Sequence, residues 1–143
     1  MEQVAAICYR SANNTTEYLL VKTRLGRWTL PKGGVEPGEK GWAAAEREAF
    51  EEAGVTGIIV HGPLTTYLHG KKEWEEEGRE VLVHAFLLEV KKAQPPEEQL
   101  RDPTWFSFDA AKEALTVDRP RKYAEELMRV LRDAEGYING LKM

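Results

Sequence analysis

Glu48, Glu51 and Glu52 stand at i, i+3 and i+4 in the stretch G-G-V-E-P-G-E-K-G-W-A-A-A-E-R-E-A-F-E-E-A-G-V, residues 33–55. On a helix those three positions share a face. Carboxylates crowded at that spacing repel one another and lower the helix's own stability. Two readings are open: a solvated acidic face, or a face neutralised by something doubly charged. The punctuation around the helix favours the second. Gly33, Gly34 and Gly38 shape a loop leading into it, and Gly54 ends it. A plain surface helix has no need of that frame. Oxygen-only ligands of this kind select a hard cation, Mg2+ or Mn2+.

The helix is expected over residues 41–53, with Gly54 as its left-handed C-terminal residue. Trp42, Ala45, Ala49 and Ala53 recur at helical spacing and form its expected buried face. The alanines allow a close approach to a sheet.

Gly33, Glu39, Arg47, Glu48, Ala49, Glu51, Glu52, Gly54 and Val55 fill every defined position of G-x5-E-x7-R-E-U-x-E-E-x-G-U, where U is aliphatic. This resembles the Nudix box, with Ala49 small for its aliphatic slot. The segment order resembles that family's from about residue 3 to residue 133. The resemblance implies hydrolysis of a diphosphate linkage in a nucleoside diphosphate joined to another group.

Chain length and composition fit this. At 143 residues the chain is expected to form a single domain, 1–143, large enough for a real core. Its 42% hydrophobic and 31% charged residues are ordinary for a globular protein. A net charge of −4 argues against general nucleic-acid binding. It leaves room for a phosphate substrate, since metal ions and a few local Lys and Arg residues can carry that charge. The lone Cys8, in an apolar strand-like run, excludes an internal disulfide and reads as a small core residue. No signal-like or membrane-spanning apolar run is present. The expectation is a cytoplasmic protein, monomer or homodimer, with a small phosphate-rich, nucleotide-like partner and neither nucleic acid nor membrane.

Strands are expected at residues 4–9, 18–23, 55–60, 64–68, 80–90 and 104–108. Residues 30–34 read as loop. Asp109 is expected to cap a helix through Leu115, and Pro120 to open a last helix to about Ala134. Tyr123, Leu127, Val130 and Leu131 form its apolar stripe. Strands before and after a central helix, then a terminal helix, give an α/β fold with a mixed sheet between helices. The Nudix fold implied by the resemblance is such an α/β/α sandwich.

By resemblance, Glu48 and Glu52 hold metal and Glu51 is the base that receives the water's proton. Arg47 orients a glutamate, braced by Glu39; the alternative for Arg47 is an exposed ion pair worth at most about 1 kcal/mol. Lys32, just before the box, is expected to give a backbone carbonyl to the metal. Some Nudix enzymes add a glutamate from a later loop; Glu97 and Glu98 qualify, and Glu98 is the choice. Trp28-Thr29-Leu30-Pro31-Lys32-Gly33 resembles the W-x-x-P-K-G lead-in of Nudix enzymes acting on diadenosine or diphosphoinositol polyphosphates. Arg24, Arg27, Trp28, Lys32, Gly33 and Gly34 are the expected substrate contacts. Lys22, Lys71, Lys72 and Arg79 are further candidates for phosphate. Trp74 and Tyr67 can stack on a base, although Tyr67 also suits a core position. Dinucleoside polyphosphates rank first as substrate, diphosphoinositol polyphosphates second and nucleoside triphosphates third. A non-catalytic binding module of the same fold is the alternative from another class.

Overall fold

A computed structural model describes residues 3–70 and 80–141. Lys71, Lys72, Trp74 and Arg79 lie outside the described residues.

The alternating pattern of the first strand organises the molecule. In β1 (Gln3–Ala12), Val4, Ala6 and Cys8 pack to one side of the sheet, and Ala5, Ile7 and Tyr9 to the other. Both faces are therefore apolar, and both must be covered. β2 (Thr15–Lys22) returns antiparallel to β1. β3 (Trp28–Thr29) pairs with β2, and β4 (Lys32–Gly34) pairs antiparallel with β1. α1 (Gly41–Ala53) covers the face of Val4, Ala6 and Cys8. Next come β5 (Val55–Ile59), β6 (Thr65–Gly70) and β7 (Glu80–Ala93). β7 lies parallel to β1 and antiparallel to β5 and β6, so the sheet is mixed. β8 (Thr104–Ser107) pairs with β2. α2 (Phe108–Thr116) and α3 (Arg121–Leu141) cover the face of Ala5, Ile7 and Tyr9. The result is the expected α/β/α sandwich.

α1 has the expected bounds, and Gly54 ends it at φ 72°. Its buried face is wider than expected and takes in two carboxylates. Ala44, Ala45, Ala49 and Ala53 are buried with Glu48 and Glu52. Trp42 instead sits half-buried at the edge, stacked on His61 with ring centroids 3.9 Å apart. Cys8 is buried as expected, and burial pushes its thiol up to about 12.

β1 and β7 run past their expected ends to Ala12 and Ala93, β2 starts earlier at Thr15, and three further differences bear on the architecture. Residues 32–34 form a short strand rather than loop, because β1 supplies a pairing edge that no local pattern announces. Ser107, not Asp109, caps α2: its hydroxyl accepts from the Ala110 N–H at 3.2 Å, and Asp109 falls in the first turn. α3 continues past Ala134 to Leu141, since Ile138 extends the buried stripe of Leu127, Leu131 and Ala134 despite Gly136 and Gly140.

Polar side chains of α3 also clasp β6. Glu126 accepts from the Leu68 N–H at 2.7 Å, while Arg129 donates to Thr65 Oγ1 at 2.9 Å and to the Thr66 carbonyl at 2.7 Å. Arg129→Ala is expected to cost about 1–2 kcal/mol, since it removes these bonds and strands partly buried acceptors. Urea unfolding measures this; a loss within the few tenths typical of a surface change contradicts the clasp.

Candidate active site

The close approach of the lead-in loop to α1 builds the site. A Cβ on Gly33 would lie 2.1 Å from Glu48 Oε2, so only glycine lets β4 pass over this carboxylate. Lys32 sits at a non-hydrogen-bonded position of the β1–β4 ladder, and its N–H and carbonyl face away from β1. The N–H reaches Glu52 Oε1 at 3.3 Å.

Arg47 is the brace on the loop side. Its guanidinium donates to both oxygens of Glu39, at 2.9 and 3.0 Å, to the Gly34 carbonyl at 3.0 Å and to Glu48 Oε2 at 3.0 Å. Glu51 Oε1 lies 3.5 Å away. This is no isolated surface pair: one planar fork fixes the loop, the helix and a carboxylate together. The hydrogen bond from Arg47 holds the Glu39 carboxyl below its usual range. The same bond raises the guanidinium's own pKa.

Glu98 joins the cluster and Glu97 does not. Single carboxylate oxygens of Glu48, Glu51 and Glu98 all lie within 4.8 Å of one another. Glu98 arrives on the segment after β7, where its N–H donates to the Glu51 carbonyl at 3.0 Å and the Gln94 N–H donates to the Gly54 carbonyl at 2.8 Å. Glu97 stays exposed. Glu52 lies behind the three, 4% exposed. Burial is the largest cause that pushes its carboxyl up to about 8; Arg101 opposes this, and the hydrogen bond and charge of Glu48 add to it. Glu51 is also raised, first by burial and then by Glu48, with Arg47 opposing.

These groups fit a hard divalent cation. The donors are all oxygen, they converge, and burial together with Glu48 raises the carboxyl of Glu52 behind them, which a nearby cation would lower again.

The other expected contacts lie on the β2–β3 turn, β3 and β4. Arg24 is exposed at the β2–β3 turn, and Arg27 is partly buried beside it. Trp28 is half-buried, edge-on to Phe106 at 4.9 Å, with Lys22 Nζ 4.9 Å from its ring centre. Gly33 and Gly34 line the loop over α1. Tyr67 is 1% exposed in the core, which removes it as a stacking platform.

Two arginines escaped sequence reasoning. Arg101 donates to Glu98 Oε1 and lies 3.7 Å from Glu52 Oε2. Arg119 donates to the Leu115 and Trp28 carbonyls, tying β3 to the end of α2. Burial is the main reason its guanidinium falls to about 10, with the nearby charge of Arg27 adding to the effect. No local motif marks either one.

A family model described as the NUDIX domain matches residues 1–127. The chain belongs to the Nudix family. This Nudix chain is 31% identical over 134 residues to the Bos taurus diphosphoinositol polyphosphate phosphohydrolase 3-beta, covering 90% of this chain and 77% of that one. It is 36% identical over 109 residues to Nudix hydrolase 13, mitochondrial, of Arabidopsis thaliana, covering 71% and 54%. Its fold is similar to that in a binary complex of the C. elegans Ap4A hydrolase, with a TM-score of 0.75, 25% identity and coverage of 97% and 98%. It is a Nudix hydrolase, of the kind that cleaves pyrophosphate linkages in nucleotide-like or inositol polyphosphate substrates. Among the described residues, no helix is long and apolar enough to cross a membrane.

The raised Glu52 carboxyl has a measurable sign. A carboxyl near 4.5 in the unfolded chain and about 8 in the folded one stabilises the fold fully below pH 4.5. That contribution is lost as pH rises through 8. The metal-free protein is therefore expected to lose melting temperature between roughly pH 5 and pH 8. Saturating Mg2+ is expected to offset the loss, because it binds the folded state. Thermal melts with EDTA and with Mg2+ check this; a flat metal-free profile contradicts a proton held on Glu52.

Proposed function

We propose that this Nudix hydrolase cleaves a phosphoanhydride bond of dinucleoside polyphosphates, with Mg2+ or Mn2+ as cofactor. The observation that carries the catalytic part is the convergence of Glu48, Glu51 and Glu98 under a loop pinned by Arg47. In this reading Glu48, Glu51 and Glu98 hold the cation, with Glu52 behind them and the Lys32 carbonyl at the loop edge. The bound cation supplies charge neutralisation for the crowded phosphates and orients them. Glu51 is more open than Glu48, with 32% of its side chain exposed against 11%. Its raised carboxyl suits it to take the proton of the attacking water as the bridging P–O bond breaks. Arg47 fixes Glu48 and keeps the loop closed over it.

The substrate part rests on the Trp28–Gly33 lead-in and on the likeness to the C. elegans Ap4A hydrolase along nearly the full length of both chains. In this reading Arg24, Arg27 and Lys32, close together in sequence with Trp28, supply the contacts to the polyphosphate chain. A diphosphoinositol polyphosphate is the second reading, favoured by the Bos taurus relative. Such a ligand is far more highly charged and calls for a denser basic surface than a chain of net charge −4 suggests.

A product-resolved hydrolysis screen with Mg2+ and then Mn2+ tests this, comparing diadenosine tetra- to hexaphosphates, diphosphoinositol polyphosphates, nucleoside triphosphates, ADP-ribose and nucleotide sugars. Preference for a dinucleotide, with ATP among the products, supports the proposal. Preference elsewhere overturns the substrate and keeps the site. Glu51→Gln is expected to fold normally and to slow turnover roughly 100-fold, the effect of about 3 kcal/mol of lost transition-state stabilisation. Full activity in this variant rejects Glu51 as the base.

A further inference from the structure

The segment carrying Glu98 is held at its far end by one residue. Arg101 sits three residues after Glu98, and both its Nε and its Nη2 approach the same oxygen, Glu98 Oε1, at 2.9 and 2.8 Å. Oε2 of Glu98 is thus left without a donor from Arg101. A third nitrogen, Nη1, donates to the Lys22 carbonyl at 3.2 Å, while the Arg101 carbonyl accepts from the Lys22 N–H at 2.7 Å. Arg101 is therefore fastened to β2 through both backbone and side chain. The chain adopts left-handed conformations on either side of it, at Leu100 (φ 68°) and Asp102 (φ 48°), neither of them glycine. Those conformations are ones L residues rarely take. Leu100 itself is 93% exposed, so its packing does not explain the turn. Lys22 Nζ pairs with Asp102 at 3.3 Å and closes the loop onto the same strand.

A carboxylate on a long exposed loop would otherwise sample many rotamers. Here its backbone is tied to the end of α1 through the Glu98 N–H, and its head group is tied to β2 through Arg101. A guanidinium suits this task better than an ammonium, since its planar fork makes several directed bonds at once.

We propose that Arg101 is the positioning residue that orients Glu98 into the acidic cluster and thereby sets how tightly the cluster takes a divalent cation. This rests on the reading of Glu48, Glu51 and Glu98 as the cation site. Arg101 acts through Glu98 and touches no reacting atom. Groups that orient metal ligands in this way change metal affinity on the order of 10–100-fold when altered.

Mn2+ titration of the full chain, followed by the electron paramagnetic resonance of free Mn2+, measures this without reference to turnover. Arg101→Lys keeps the positive charge and removes the fork. It is expected to raise the Mn2+ dissociation constant about tenfold in the unaltered background and to leave it unchanged in a Glu98→Gln background. An equal effect in both backgrounds shows a structural role that does not pass through Glu98, and overturns the proposal. So does an Arg101→Lys protein that binds Mn2+ as the unaltered protein does. Glu48→Gln separates this failure from failure of the site itself. If Glu48→Gln and Glu98→Gln both bind Mn2+ normally, the cation site is wrong and the proposal falls with it. If Glu48→Gln binds weakly and Glu98→Gln normally, the site stands and the role of Arg101 is overturned. Thermal melts of each variant confirm that the compared proteins are folded.

Discussion

The burial of two carboxylates on one helical turn is the constraint on which the rest of this site depends. Glu48 and Glu52 are 8% and 4% exposed and carry like charge. Removing such groups from water is costly unless cations or donors surround them. The fold answers with a guanidinium on each side. Arg47 comes from α1 itself and binds Glu48 together with the lead-in loop. Arg101 comes from the loop before β8 and stands near Glu52 and Glu98. Even so, burial, with Glu48 adding to it, outweighs Arg101 and raises the Glu52 carboxyl. A fold that buries carboxylates at this cost is poised to gain stability from a cation.

The arrangement is useful only if the carboxylates stay where they are, and the packing of α1 sees to that. Its inner face is alanine at residues 44, 45, 49 and 53, so the helix lies close on β1. Two glycines permit contacts that a side chain would disturb. Gly33 passes over Glu48 in mid-helix, and at the end of α1 a Cβ at Gly54 would come within 1.9 Å of the Gln94 carbonyl oxygen. The second contact matters as much as the first. It lets the segment after β7 run against the end of α1, where the Glu51 and Gly54 carbonyls accept its N–H groups. Free carbonyls at a helix C-terminus need donors in any case. Here the donors come from the strand of chain that brings the third converging carboxylate.

The sequence was most informative where function is local. The box announced α1, its glycine stop and the acidic face, because each signal lies within one turn or one loop of the next. The apolar run of residues 4–9 announced β1 as a strand. What sequence missed was long-range. β4 spans three residues and owes its strand character to β1, about thirty residues earlier in the chain. Glu98 emerged as a candidate by analogy, but Arg101, which holds it, bonds a carbonyl 79 residues away. Arg119 reaches 91 residues back to Trp28. Such contacts leave no periodic mark. The end of α3 was misjudged for a different reason. Gly136 and Gly140 are poor helix formers, but Ile138 sits on the buried stripe, and packing outweighed local propensity.

A division of labour follows from where these parts sit. The groups proposed for chemistry stand on a rigid helix, locked by small side chains and a bidentate arginine. The groups proposed for substrate choice lie on the β2–β3 turn and the two short strands after it: Arg24 and Arg27 on the turn, Trp28 in β3 against Phe106, Lys32 in β4. A change there can alter which polyphosphate is held without disturbing the spacing of Glu48, Glu51 and Glu98. Glu98 is the exception, since it belongs to the cluster but is carried by a loop. A rearrangement of that loop would alter the cation site and the surrounding surface together, and the hydrogen bonds of Arg101 and Glu98 oppose one.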